Sequence, residues 1–308
     1  MGITNCKCKA EPDNSVPVEF LGHSKIEATL APAENLKKFS DVIPEHREDI
    51  GISTKAVWDT KPKFTYVNES EEITEWKEIK LEDGLYIGEY LEDKPHGRGI
   101  QFLKDGSLIE AHWDNGLIIG RGRLIFSNGD CYNGDFFNGK LDGKGILESV
   151  NGTKYEGDWV NSKQHGMGRE LWVDGSEFVG EFIEGLKCGK GTFWWKDGNV
   201  YQGEFYKNSI HGIGIYEWSD GRKYEGQFVD NKMHGKGKFY WPNGRYYEGD
   251  FANDLKHGYG KLVWPDGKMY EGGWMKGKRH GIGSMSVSTT TAKRGEWRNG
   301  QRFRWLDV

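Results

Sequence analysis

Residues 224–246 read YEGQFVDNKMHGKGKFYWPNGRY; the next 23 residues open with YEGDF and the set after that with YEGGW. Working outward from this stretch, a frame of 23 positions runs from Tyr86 without insertion or deletion. Position 1 falls at Tyr86, Ile109, Tyr132, Tyr155, Phe178, Tyr201, Tyr224, Tyr247 and Tyr270, with a partial tenth unit at Lys293. Position 5 is aromatic in all of these units, from Tyr90 and Trp113 to Trp274 and Trp297. Glycine fills positions 12 and 14 throughout, as in Gly235 and Gly237, and position 3 in every full unit except at Ala111. Positions 20 and 21 are Asp-Gly or Asn-Gly in all but the last full unit, where Ser288 to Thr291 intervene. Such a fixed period is the signature of a repeat architecture, in which each unit buries its apolar face only against its neighbours.

Side chains alternate along a strand, so positions 1, 3 and 5 share a face, as do 12, 14, 16 and 18. An antiparallel hairpin whose paired positions sum to 17 sets position 1 against 16, glycine 3 against glycine 14, and the aromatic at 5 against glycine 12. On the opposite face it sets 2 against 15 and 4 against 13, and there acids meet bases: Glu89 with Arg98, Glu110 with Arg123, Asp135 with Lys144, Glu156 with Arg169, Glu181 with Lys190, Glu225 with Lys238 and Glu248 with Lys261. Glycine is otherwise a poor strand residue, and its recurrence opposite rings points to bare backbone on which a ring can lie. The Asp/Asn-Gly pair is a strong turn signal and should join one unit to the next. The expected fold is all-β, an elongated single-layer antiparallel β-hairpin ribbon of about 18 strands, spaced by roughly 4.8 Å.

The unit YxG(D/E)(F/W)xxxxxHGxGxxxWxDGxx resembles the MORN repeat in its glycine spacing, aromatic pair and Asp-Gly ending. The resemblance covers the chain after residue 85, and the second unit departs most, with Ile109, Ala111, His112 and Ile119. It implies a scaffold. MORN arrays occur in junctional membrane proteins, in radial-spoke heads of cilia, in protist cytoskeletal proteins, and beside the catalytic domains of some lipid kinases and one class of lysine methyltransferase. Residues 1–85 are too few and too polar for such a catalytic domain, so the chain reads as a non-enzyme with no cofactor and no small-molecule substrate.

Composition narrows the partners. Residues 1–85 carry 11 basic and 17 acidic side chains against 31 and 30 in the rest, so the array is not the basic surface a nucleic-acid binder needs. No apolar run is long enough to span a bilayer, and MGITNCKCKA lacks the apolar core of a signal peptide, which points to the cytoplasm. Cys6, Cys8, Cys131 and Cys188 have no disulfide or zinc spacing. Histidine recurs at position 11 (His96, His165, His211, His234, His257, His280), but successive units lie two strands apart, roughly 9.6 Å, too far for one ion to be shared. No metal is expected. Basic residues at positions 13 and 15 could suggest a stripe for anionic phospholipid, yet most face an acid.

Within the leader, residues 1–85, Ala33–Asp41 is expected to form a short helix and Glu78–Leu81 a strand capping the array of residues 86–308. Met1-Gly2-Ile3-Thr4-Asn5-Cys6 approximates the myristoylation template, with Gly2 as acceptor. One acyl chain anchors only marginally, and Cys6 and Cys8, beside Lys7 and Lys9, are candidates for palmitate as the second signal. The expectation is a peripheral membrane scaffold, with an axonemal or other cytoskeletal subunit as the alternative and a direct phospholipid binder as the third. Its partner surface is expected on the ring face: Trp172, Trp195, Trp218, Trp241 and Trp264 at position 18, with Tyr224, Phe228 and Phe239. The occupant would be a protein partner's helix, a second MORN array or the leader.

Overall fold

The computed structural model describes residues 51–66, 76–287 and 292–306. Among them are one helix, α1 (Ile52–Thr60), and 21 strands, β1 (Trp76–Leu81) to β21 (Gln301–Trp305). The strand count exceeds the expected 18 because β1 precedes the first unit and the partial tenth unit supplies β20 (Lys293–Arg298) and β21. The chain divides after Val173 into an N-terminal unit holding α1 and β1–β9 and a C-terminal unit holding β10–β21. Each is a single-layer antiparallel meander in which every strand pairs with the next in sequence. The expected helix at Ala33–Asp41 lies outside the described residues.

The C-terminal unit shows how the repeat specifies its register. Strand β14 (Lys223–Val229) faces β15 (Lys232–Tyr240) with Tyr224 opposite Phe239, Glu225 opposite Lys238 and Gly226 opposite Gly237. Positions 1/16, 2/15 and 3/14 therefore pair as the sum of 17 requires. Beyond Gly226 the register slips: Gln227 faces His234 and Phe228 faces Met233. The expected register of 5 with 12 and 4 with 13 is thus incorrect within a hairpin, although Glu89 and Arg98 still form their ion pair at 2.7 Å. The physical reason is a β-bulge at Gly235, whose φ of 57° is left-handed and strains any residue with a Cβ. Gly235 instead faces Phe251 of the following unit, on β16 (Tyr246–Ala252), so the ring-on-glycine pairing exists between units rather than inside one.

The bulge also shortens the hairpin loop. The strands meet in a two-residue turn at positions 7 and 8, where both residues have positive φ, as at Asp230 (47°) and Asn231 (65°). Position 11 histidines consequently stand within a strand and do not close a loop. The Asx-Gly turn does join successive units: Gly244 N–H donates to Trp241 O at 3.0 Å and Trp241 N–H to Arg245 O at 2.9 Å.

The slip gives position 4 a role that its pairing with position 13 obscured. Its side-chain oxygen crosses the bulge to accept the backbone N–H of position 13: Arg98 to Glu89, Lys144 to Asp135, Met167 to Asp158, Lys190 to Glu181, Lys236 to Gln227 and Tyr259 to Asp250. A Cβ on Gly235 would collide with that Gln227 oxygen. Glycine at 12 is therefore required for its φ, and at Gly235 it also leaves room for that oxygen.

Candidate partner-binding surfaces

The ring face is built from two columns. In the first, each aromatic at position 1 lies over the glycine pair at 3 and 14, so that a Cβ on Gly237 would strike the Tyr224 ring. The hydroxyl donates to the backbone carbonyl of position 4, as from Tyr224 to Gln227 and from Tyr201 to Glu204, both at 2.9 Å. Burial raises the pKa of these phenols; that of Tyr270, less deeply placed, is pushed up to about 12. Each such ring meets two others edge-on: Tyr224 contacts Phe228 of its own unit with centroids 5.0 Å apart and Phe251 of the next at 5.1 Å. Edge-to-face pairs contribute roughly 0.5–1.5 kcal/mol each beyond their burial. Tyr224, Phe228 and Phe239 are 0, 4 and 8% exposed. These three belong to the core of the chain itself, because a column of mutually packed rings covers a single sheet without a second layer.

The second column differs. Positions 16 and 18 alternate along it: Phe193 and Trp195 at 4.4 Å, Trp195 and Tyr216 at 5.2 Å, Tyr216 and Trp218 at 4.5 Å, Trp218 and Phe239 at 5.3 Å, Phe239 and Trp241 at 4.5 Å. Trp172, Trp195, Trp218, Trp241 and Trp264 are all half-buried. Cations lie against the later rings: Arg222 over Trp218 at 5.1 Å, Arg245 over Trp241 at 4.0 Å, and Lys256 at 5.2 Å from Trp241 and 4.8 Å from Trp274. Burial, with the Arg245 charge behind it, lowers the Lys256 pKa to about 8.

The opposite face carries the positions 2 and 15. In the C-terminal unit it is a row of alternating charge, Glu225, Lys238, Glu248, Lys261 and Glu271, each opposite the next on adjacent strands. The row floors a shallow groove with Lys236 and Tyr259. The expected pair of Asp135 with Lys144 is not formed: the Lys144 amine reaches Asp158 of the next unit at 2.5 Å, and Asp135 lies 3.7 Å from Arg121.

In the N-terminal unit the same face is covered, which the sequence reading missed. Ile87, Ile100, Phe102, Leu108, Ile125 and Cys131 form an apolar floor on which Val57 and Trp58 of α1 pack. Thr54 Oγ1 donates to Gly106 O at 2.7 Å, Trp58 Nε1 to Glu110 at 3.2 Å and Tyr66 to Gly99 O at 3.0 Å. Glu110 and Arg123 form a salt bridge under this segment, 2 and 3% exposed, and Arg123 also donates to Pro62 O at 2.8 Å. Burial raises the Glu110 pKa against the opposing pull of Arg123. The legible signal was the floor itself: Ile87 and Ile100 stand at 2 and 15, where Glu225 and Lys238 stand in a later unit, and Phe102, Leu108, Ile125 and Cys131 fill 17 and 23 of the first two units.

Cys131 and Cys188 are buried and form no disulfide, whereas Gly2, Cys6 and Cys8 lie outside the described residues. Among the described residues there is no cluster of His, Cys, Asp or Glu able to hold a metal, and no helix is long and apolar enough to cross a membrane.

A family model described as the MORN repeat matches ten successive stretches, 86–108, 110–131, 132–154, 155–177, 178–200, 201–221, 224–244, 247–269, 270–286 and 294–303. Among curated proteins, Alsin of Mus musculus and of Rattus norvegicus are each 38% identical over 56 residues, which is 18% of this chain and 3% of those proteins. Among solved structures, the TCP domain of Drosophila melanogaster SAS-4, in complex with a proline-rich motif of Ana2, aligns with 62% of this chain and 99% of its own at 13% identity and a TM-score of 0.32. The TCP10 domain of Danio rerio CPAP aligns with 68% of this chain and 99% of its own at 12% identity, with a TM-score of 0.27.

Proposed function

The chain belongs to the MORN-repeat family, and from that premise we propose a non-catalytic scaffold that holds protein partners at a membrane through an acylated N-terminus. The observation that carries the scaffold reading is the second ring column. Tryptophans from Trp172 to Trp264 keep exposed surface at a fixed position of successive units. A repeated half-exposed aromatic favours contact with a partner, since tryptophan is enriched among interface anchors. The membrane reading rests on the Gly2 template with Cys6 and Cys8, two signals where one is too weak.

Fractionation of cells expressing the wild-type chain, Gly2→Ala, and Cys6→Ser with Cys8→Ser tests the tether. Both variants should move to the soluble fraction; unchanged membrane partition in both ends the tether reading. Trp218→Ala tests the scaffold surface. It should weaken partner association by roughly 2 kcal/mol or more, whereas a loss confined to melting would make this column part of the core as well.

A further inference from the structure

One place on the ring face sets two cations without a carboxylate against the same indole. Where position 22 is basic, position 20 of the same unit supplies its counter-charge: Arg222 pairs with Asp220 at 2.7 Å, and Lys268 with Asp266 at 2.9 Å. In the unit from Tyr224 to Tyr246, position 20 is Asn243, and Arg245 at position 22 has no carboxylate. Its Nε is buried and has no hydrogen-bond partner. Position 10 of the next unit is Lys256; Lys187 and Arg279 also put a cation at position 10, but the position 22 before them is Ser176 or the Asp266-paired Lys268. Both cations lie against the Trp241 ring, Arg245 at 4.0 Å and Lys256 at 5.2 Å, and no salt bridge neutralises either among the described residues.

Two unneutralised cations held on one indole cost free energy, since burial and the Arg245 charge both oppose protonation of Lys256. An anion relieves the repulsion between them. The Arg245 guanidinium supplies the directed donors that an oxygen anion needs. We propose that Arg245, Lys256 and Trp241 form an anion-receiving notch at the end of the exposed ring column, and that its occupant is an acidic segment of a protein partner. Carboxylates enter the notch while apolar side chains of the same segment lie along Trp218 and Trp241. Charge complementarity selects this occupant, because the adjoining surface is aromatic and suits alternating acidic and apolar residues better than a row of headgroups. The inference deepens the scaffold reading and rests on its ring column.

Fluorescence anisotropy on the full chain can test it with a labelled peptide alternating Glu and Leu, its Gln/Leu counterpart, and phosphatidylserine vesicles. The acidic peptide should bind, Arg245→Gln and Lys256→Gln should each weaken it about tenfold, and Arg222→Gln, whose cation is already paired, should change it little. Equal binding of both peptides, lost together in Trp218→Ala but indifferent to Arg245→Gln, overturns the notch and leaves the column standing. No saturable binding of either peptide overturns both. Vesicle binding that is lost in Arg245→Gln while peptide binding is absent assigns the notch to a membrane and overturns the proposal. Sedimentation showing that Arg245→Gln converts a dimer to a monomer assigns it to a second copy and does the same. Arg245 and Lys256 are half-buried, and circular dichroism melts of each variant check that the fold survives.

Discussion

The same register positions meet opposite fates in the two units. At 2/15 the N-terminal unit places Ile87 against Ile100 and Glu110 against Arg123 under residues 51–66, while the C-terminal unit places Glu225 against Lys238 and Glu248 against Lys261 in a groove open to solvent. Backbone geometry at these pairs is shared, so the difference lies in what covers them. Under the leader segment the pair must be apolar or fully neutralised, because an unpaired buried charge is costly. In the open groove the pair can be charged at little gain or loss, since exposed ion pairs are worth about 0–1 kcal/mol. A MORN unit thus fixes a ladder whose second face is free to become core or surface.

The comparison breaks most sharply at Arg123. Arg123→Ile should destabilise the protein by about 3–5 kcal/mol, because it strands the Glu110 carboxylate beneath α1. Adding Glu110→Ile copies the arrangement that Ile87 and Ile100 already show one unit earlier, and should restore most of that loss. Urea denaturation midpoints of the two variants check it. If the double variant is no more stable than the single one, the pair has some further role in seating the leader segment.

The ring faces of the two units also differ, and pH sharpens the difference. Position 10 is filled by buried Ile118 and Leu141 in the N-terminal unit, whereas in the C-terminal one Lys256 takes the place that buried Ile210 fills two repeats earlier. A lysine whose folded pKa is depressed destabilises the fold while it is protonated, and that penalty is withdrawn as pH rises from the folded value of about 8 toward the unfolded value. Arg245 is the charged group acting on it, and the rings of Trp241, Tyr247 and Trp274 surround it. Lys256→Met should therefore melt a few degrees above wild type at neutral pH, and the gap should narrow above about pH 8. A gap that is constant across that window would show that the amine is solvated and the lowering absent.

Much of the first ring column was legible in the sequence. The period, the glycine pair at 3 and 14, and the pairings 1/16 and 2/15 follow from alternation and from acid–base matching at Glu110/Arg123 and Glu225/Lys238. The bulge was not legible, because the glycine at 12 that imposes a left-handed φ is the same letter as the glycine at 14 that makes room for a ring. Asp135 with Lys144 fitted the wrong register for a related reason: the carboxylate does reach residue 144, but its backbone N–H at 2.9 Å rather than its amine. Helix α1 escaped because ISTKAVWDT has a weak apolar period of its own. Its partner is Ile87 and Ile100 at 2 and 15 of the first unit with the apolar residues at 17 and 23 of the first two, and only the sheet brings those together. The anion notch leaves a faint mark in the sequence, Asn243 where Asp220 and Asp266 serve the basic position 22 of the adjoining units and Lys256 at position 10, but residues in different units have no joint meaning until Trp241 joins them.

A smaller effect tests the part the units share. Tyr224 donates to the Gln227 carbonyl, while Phe178 at the equivalent position has no hydroxyl to do so. Tyr224→Phe should cost about 0.5–1.5 kcal/mol, with the edge-on contacts to Phe228 and Phe251 kept. Chemical denaturation of this variant should leave the m-value unchanged; a lowered m-value would mean that the whole column had loosened.

The smallest effect belongs to the open charge row and completes the contrast with Arg123. Lys238 faces Glu225 on one side and Glu248 on the other, with its amine 3.6 Å from the Glu248 carboxylate and 4.7 Å from the Tyr246 ring. Lys238→Glu sets three acids in a row, yet solvent screens them, so the expected cost is under about 1 kcal/mol. Adding Glu248→Lys restores opposite charges at 238 and 248 but sets the new lysine against Lys261, so the double variant should cost about as much as Lys238→Glu alone rather than the sum of the two single changes, giving a non-additive double-mutant cycle. Raising salt to about 1 M shrinks the Debye length to roughly 3 Å and should erase most of the Lys238→Glu effect. Arg123→Ile, buried under the leader segment, should keep its full cost in the same salt. Denaturation midpoints of both variants at low and high salt decide the matter: equal salt sensitivity would mean that the two faces are equally wet, and that the leader segment does not seal the one it covers.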